Sequence, residues 1–187
     1  YGMTQDQLAA SLFPLGDYNK TVIREKAAEL GLTVANKPDS QEICFVPDND
    51  YARFIAEYHP EAVRPGKIRD GAGHELGIHQ GIYNFTIGQR KGLGIATGSP
   101  LYVKAIIPET AEVVVGPEAD VFGAELIASD LNWIAFARIE APLQVEAKIR
   151  YSARPAPAYL EPMSDGKVRV SFSKSQRAIT PGQAVVF

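Results

Sequence analysis

A mainly β protein with an α-helical N-terminal portion is the fold class the sequence predicts, and three observations carry it. Helical spacing of apolar residues is confined to the stretch before Val63. From Val63 on, short alternating runs are separated by Gly, Pro, Asn and Asp, the pattern of strands and turns. The 187 residues, 45% hydrophobic and 22% charged, suffice for one globular domain or two small ones.

TQDQLAASLF (4–13) reads as a short helix. Thr4 and Gln7 have capping-box spacing, Leu8 and Leu12 share a face, and Pro14 and Gly16 end it. NKTVIREKAAELG (19–31) reads as a second helix, with Val22, Ile23, Ala27 and Leu30 as its apolar stripe and Gly31 at C′. Two such helices cannot build a core alone, so they are expected to be the tail of a larger α/β domain. Asp48 or Asn49 can cap a third helix, DYARFIAEYH (50–59), which Pro60 stops. Its Tyr51, Phe54, Ile55 and Tyr58 form an aromatic stripe expected to face a core.

GKIRD (66–70) and HELGIH (74–79), joined at Gly71-Ala72-Gly73, predict a hairpin, and PLYVKAIIPE (100–109) with AEVVVG (111–116) predicts another. Between them lies the glycine-rich TIGQRKGLGIATG (86–98). Its spacing is not that of a P-loop. Arg90 and Lys91, set among Gly88, Gly92 and Gly94, would bring cations and backbone N–H groups to a phosphate, or form a surface turn with solvated charges. After DLNWIAFA (130–137), where Trp133 is expected to anchor a core, strands are predicted at 143–151, 156–162, 167–173 and 183–187. Short strands at even spacing suggest a small antiparallel barrel.

The net charge of −3 does not advertise a nucleic-acid partner. Its distribution says more: residues 1–63 carry a net −5, residues 64–129 a net −1 and residues 130–187 a net +3. The last segment is where a phosphate backbone would rest. No run of about 18 apolar residues is present to span a membrane. The opening Tyr1-Gly2-Met3 carries no signal peptide and suggests a fragment. Three histidines (His59, His74 and His79) without a cysteine pair make a metal site unexpected, and turn histidines that are solvated or hydrogen-bonded are the expectation.

The single cysteine, Cys44, excludes an internal disulfide framework and fits a reducing cytoplasm. It is either a small buried hydrophobe or a chemical tool. Asp39, Ser40, Gln41 and Glu42 make a polar approach to it, and Pro38 and Pro47 hold both flanks out of helix. The helix beginning near Asp50 could favour the thiolate through its N-terminal dipole, whereas Asp39 and Glu42 oppose it.

Three blocks, KPDSQEICFVP (37–47), GIHQGIYNFTIGQRKGLG (77–94) and TPGQAVVF (180–187), resemble in order the tRNA-specific 2-thiouridylases, the MnmA/TrmU family. The resemblance implies three portions. Residues 1–50 would be the C-terminal remnant of a pyrophosphate-loop ATP-binding domain with the Cys44 loop. Residues 51–126 would be a central β-rich domain. Residues 127–187 would be an antiparallel barrel like domain 2 of translation elongation factors, truncated at its end. The family's Gly-rich SGG-x-DS loop has no counterpart here, so ATP with Mg would bind outside this chain and no cofactor within it.

The resemblance also implies a chemistry. ATP would adenylate the C2 oxygen of uridine 34, Cys44 would deliver persulfide sulfur to C2 with Asp39 in possible support, and AMP would leave. A cysteine outside this chain would pair with Cys44, and a sulfur-relay protein would supply the sulfur. The substrate would be tRNA of the Lys, Glu and Gln type, in the cytoplasm. The family's tRNA contacts match Arg150 and Tyr151 of KIRYSAR and Gln183 of TPGQ, to which Arg90 and Lys91 are added on chemistry. Taken alone, Tyr151 is equally a strand-end aromatic packed on the barrel, and Gln183 an exposed turn residue. Two other readings compete: a stand-alone RNA-binding, translation-factor-like module with an inert cysteine, and a β-rich adaptor with no nucleic-acid role.

Overall fold

The computed structural model describes residues 2–37, 46 and 50–187. Cys44 and Asp39 lie outside the described residues. The chain divides into two compact units, Tyr1–Tyr51 and Ala52–Phe187.

In the first unit, helix α1 (Gln5–Ala9) starts at Thr4, whose side chain accepts from the Gln7 N–H while the Gln7 side chain accepts from the Thr4 N–H. This is the expected capping box. Helix α2 (Lys20–Glu29) is capped by the Asn19 side chain, which accepts from the Val22 N–H at 3.1 Å. Its far end closes through Gly31 at φ +67°, with Gly31 N–H to the Ala28 carbonyl and Leu32 N–H to the Ala27 carbonyl. That pair of bonds is a Schellman motif, and the left-handed turn it needs is why glycine stands there. Neither helix buries a residue, and Leu30, expected on the apolar stripe, is 75% exposed. Helix α3 (Tyr51–Tyr58) likewise buries none. Its aromatic stripe is a correction to the core expectation: Phe54 and Tyr58 stack on each other at 4.5 Å, and Tyr58 is 62% exposed.

The second unit holds two four-stranded sheets. Strands β1 (Gly66–Arg69), β2 (Glu75–His79), β3 (Tyr102–Ile107) and β4 (Glu112–Gly116) make the first, in the order β2-β1-β4-β3. Both predicted hairpins are present, and the parallel pairing of β1 with β4 joins them. Ile68, Val103, Val113 and Val115 bury fully between the strands and the loop residues Phe85 and Leu93. The two hairpins meet closely at Gly66, where a Cβ would fall 1.6 Å from the Ala111 carbonyl oxygen. Only a residue without a side chain fits.

That same carbonyl meets His79, which corrects the reading of the histidines as turn residues. His74 does sit in a turn, 2.9 Å from the Asp70 carboxylate. His79 ends β2 and is only 5% exposed. Its Nε2 lies 3.0 Å from the Ala111 oxygen. A carbonyl only accepts, so Nε2 carries the hydrogen and Nδ1 is bare. Nδ1 has no hydrogen-bond partner among the described residues. Burial therefore pushes the imidazole below its ordinary pKa of 6.5, against the weaker upward pull of the Ala111 bond.

Strands β5 (Phe122–Ala128), β6 (Leu143–Ala147), β7 (Ala156–Pro162) and β8 (Val168–Arg177) make the second sheet, antiparallel throughout, in the order β5-β8-β7-β6. Ala158, Leu160, Val168, Val170 and Phe172 alternate inward, and Trp133 packs on them from the side. An isolated bridge between Lys148 and Val186 adds to this sheet; no closed ring of strands is formed among the described residues. The predicted strand at 183–187 is reduced to that bridge. β5 was not predicted and runs across the expected 126/127 boundary, because FGAELIA lacks the β-branched density of its neighbours.

His79 makes stability acid-sensitive. Above the ordinary imidazole pKa both folded and unfolded chains hold the neutral ring. As pH falls below about 6.5, the unfolded chain takes a proton that the folded site resists, so stability drops, by at most about 1.4 kcal/mol per pH unit for one proton, until the lowered folded pKa is passed. Urea unfolding at pH 7.5 and 5.5 should show His79→Gln losing less stability on acidification than the parent chain. An equal loss would remove His79 as the cause.

Candidate nucleic-acid interface

The chain immediately after β8 makes a tight corner that gathers two of the expected contact residues, Arg150 and Gln183. Ala178 adopts φ +55° and donates its N–H to the Val121 carbonyl at 2.7 Å. Arg150, just beyond β6, reaches across to it. The Arg150 Nη2 donates to the Ala178 carbonyl at 2.5 Å and to Thr180 Oγ1 at 3.0 Å. The Thr180 carbonyl in turn accepts from the Gln183 N–H at 3.3 Å. Gly182 at φ +81° turns the chain so that Gln183 is held exposed. Arg150 and Gln183 thus meet through one residue, Thr180. Arg150 was expected to face a phosphate; the structure shows it half-buried with Nη2 tied to the corner.

Tyr151 follows Arg150 but points away from the sheet. It is 98% exposed, which excludes the reading of a strand-end aromatic packed on the barrel. Lys148 Nζ lies 5.4 Å from its ring centroid, a cation over an aromatic face. A flat ring with a neighbouring ammonium offers a base one face for stacking and a phosphate one charge. Arg154 is also exposed nearby in sequence.

Arg90 and Lys91 sit in the loop between η-type turn 82–84 and β3, and Gln89 shapes that loop. Its side-chain oxygen accepts from the Thr86 N–H at 2.9 Å and its side-chain nitrogen donates to the Lys91 carbonyl at 2.9 Å. Its backbone carbonyl accepts from the Val103 N–H, and the Gly88 N–H donates to the Val103 carbonyl. Leu93, buried in the first core, anchors the far side. Arg90 and Lys91 are left exposed, with no hydrogen-bond or ion-pair partner for either side chain among the described residues. Beside them a groove of about 440 Å³ runs along Arg90, Leu93, Ile95, Thr97, Ser99 and Leu101. Sequence reasoning did not single out Gln89 or Thr180. An amide flanked by glycines is common in solvated turns, and nothing local marks a hydroxyl that bridges two loops.

Among the described residues no group of three or more His, Cys, Asp or Glu converges as metal ligands, and no helix is long and apolar enough to cross a membrane.

Three family models tile the chain in succession. Residues 1–48 match the tRNA methyl transferase HUP domain, 52–117 the tRNA methyl transferase PRC-barrel domain, and 123–187 the aminomethyltransferase β-barrel domain. That succession defines a class by its domains, a tRNA methyl transferase-type HUP portion followed by two β modules. Curated relatives narrow it. The chain is 55% identical over 187 residues to the tRNA-specific 2-thiouridylase MnmA of Clostridium perfringens, with all of this chain and 52% of the relative covered. To the protein of the same name in Heliobacterium modesticaldum it is 57% identical over 189 residues, covering all of this chain and 49% of the relative. To that of Acetivibrio thermocellus it is 54% identical over 187 residues, covering 52% of the relative. The chain belongs to the tRNA-specific 2-thiouridylase family, and it spans about half the length of the curated relatives it matches.

Arg150 and Tyr151, adjacent in sequence, should separate in their effect on stability. Arg150→Met leaves the Ala178 carbonyl and Thr180 hydroxyl without their charged donor and is expected to cost about 1–3 kcal/mol in urea unfolding. Tyr151→Ala removes an exposed ring and is expected to change stability by no more than about 0.5 kcal/mol. A large loss for Tyr151→Ala would mean its ring is packed in solution.

Proposed function

We propose that this chain is the tRNA-gripping part of a tRNA-uridine 2-sulfurtransferase. The enzyme transfers persulfide sulfur to C2 of uridine 34, the anticodon wobble position, in an ATP-dependent reaction in the cytoplasm. The observation that carries the reading is the 54–57% identity to 2-thiouridylases over the whole length of the chain. The exposed Tyr151 beside Lys148, and Gln183 held out by the Thr180 corner, support its RNA-binding half. Tyr151 stacks on a base, Lys148, Arg90 and Lys91 meet phosphates, and Gln183 hydrogen-bonds the nucleic acid. Arg150 holds the corner on which Gln183 sits.

Cys44 carries the sulfur as a persulfide, which requires its thiolate form; Asp39, whose carboxylate opposes that thiolate, supports the reaction only by facing the substrate side. Its pairing partner in any disulfide is a cysteine outside these residues. A sulfur-relay protein supplies the persulfide, and the substrates are tRNAs of the Lys, Glu and Gln type.

The residues here do not fit an ATP site. The sequence has no SGG-x-DS loop to hold a pyrophosphate. ATP and its Mg belong to the part of the relatives beyond the matched length, and the 187-residue chain by itself is expected to form no 2-thiouridine.

The test is Cys44→Ser in the full-length protein, with 2-thiouridine quantified after incubation with tRNA, ATP and a persulfide donor, and tRNA binding followed in parallel. Thiolation should vanish while binding survives. Persisting thiolation would make Cys44 structural. Tyr151→Ala should weaken tRNA binding by about tenfold or more, the scale of one lost stacking contact; binding unchanged in a gel-shift titration would remove Tyr151 from the interface.

A further inference from the structure

Arg177, the last residue of β8, lies outside every residue set named above. Its Nη2 donates to the Gly88 carbonyl at 2.9 Å. Its guanidinium stands over the Tyr102 ring, 5.5 Å from the centroid. Its Nε faces Glu118 Oε1 at 3.7 Å. All three partners belong to the first sheet, its loop or the turn leaving it, whereas Arg177 belongs to the second sheet. The backbones meet at the same point. Gly88 at φ +86° comes so near that a Cβ there would lie 2.7 Å from the Ala178 Cβ. The apolar clusters of the two sheets share no residue. Where they meet, Tyr102, Val121 and Ala178 are buried, and the directional bonds of Arg177 and the close backbone at Gly88 fix how that small apolar seam is set.

The junction also has contact loops on both sides. Gly88 stands two residues before Arg90. Arg177 stands one residue before the corner that Arg150 clamps and from which Gln183 extends. A guanidinium is suited to the task, because it can donate in its plane to a carbonyl while its face rests on an aromatic ring.

We propose that Arg177 is a positioning residue that sets the register between the loop carrying Arg90 and Lys91 and the corner carrying Gln183, so that both meet one tRNA as a rigid pair. The proposal rests on the tRNA-binding reading above. Two weak contact loops held at a fixed span bind with the effective concentration of a linked pair, and a hinge between them forfeits it. The Arg177 side chain is 41% exposed, and its guanidinium is here assigned to protein groups rather than to a phosphate.

The experiment uses the full-length protein with Arg177→Gln and, because that variant could unfold, Glu118→Gln at the exposed end of the junction. Two quantities are read: tRNA Kd as a function of salt, and the distance distribution between spin-labelled unnatural amino acids at Thr110 and Ser164, one in the β3–β4 turn and one in the β7–β8 turn. Arg177→Gln should weaken binding about tenfold, broaden the distance distribution, and leave the slope of log Kd against log salt unchanged. Glu118→Gln should move binding and distance in the same direction by less. A slope reduced by about one phosphate contact would mean Arg177 touches the RNA directly and would overturn the proposal. So would unchanged binding, or weaker binding with an unchanged distance distribution, in whichever variant folds. Absence of tRNA binding by the unaltered protein would instead bring down the reading of the loops as a grip, and the proposal with it.

Discussion

The four residues Arg177–Thr180 form the contact on which the second unit depends. Ala178 bonds backward to Val121, its carbonyl takes the Arg150 guanidinium, and Arg177 reaches Gly88 in the other module. Each sheet fills its own apolar core, and only a small apolar seam of Tyr102, Val121 and Ala178 is buried where the two modules meet. Directional bonds to carbonyls fix how that seam is set. The geometry of that corner, with a non-glycine residue at φ +55°, is what the surrounding bonds hold in place.

The strands were legible in the sequence where alternation was strong. LQVEAKIRY, APAYLEP and KVRVSFS each put every second side chain inward, and the inward positions Ala158, Leu160, Val168 and Val170 are fully buried. FGAELIA was not legible, because its pairing with β8 is earned by a neighbour rather than by its own propensity. The helix ends at Thr4 and Gly31 were legible to the residue, since capping chemistry is local, whereas α1 stops at Ala9 rather than running on to residue 13. The aromatic stripe of α3 misled, because periodicity reports that a face exists and not what lies against it.

The candidate site shows a similar division. Sequence could mark Arg90, Lys91, Arg150, Tyr151 and Gln183 as residues of the right chemistry. It could not show that Arg150 is tied to Ala178 and Thr180 while its neighbour Tyr151 is wholly exposed. Adjacent residues leaving a strand point to opposite sides, so one turns to the protein and one to solvent. Arg177 and Thr180 were invisible for a related reason: their partners lie 89 residues and 30 residues away along the chain. Long-range polar bonds leave no periodic trace.

The net charge of −3 is no obstacle to an RNA partner, because the acidic excess sits in residues 1–63 and the basic excess in residues 130–187. Much of that basic charge is already committed: Arg169 faces Glu161, Lys167 pairs with Asp165 and Arg138 with Glu140. Such exposed pairs add little stability and soften the field a phosphate would meet. Binding that relied on bulk charge would therefore be weak here. What remains is a small set of placed groups, a stacking ring at Tyr151 with Lys148 over it, two cations on the Gln89-shaped loop, and an amide at Gln183. A set so small grips one RNA only if its members keep their distances, and the corner at Arg177–Thr180 is the part of the fold able to fix them.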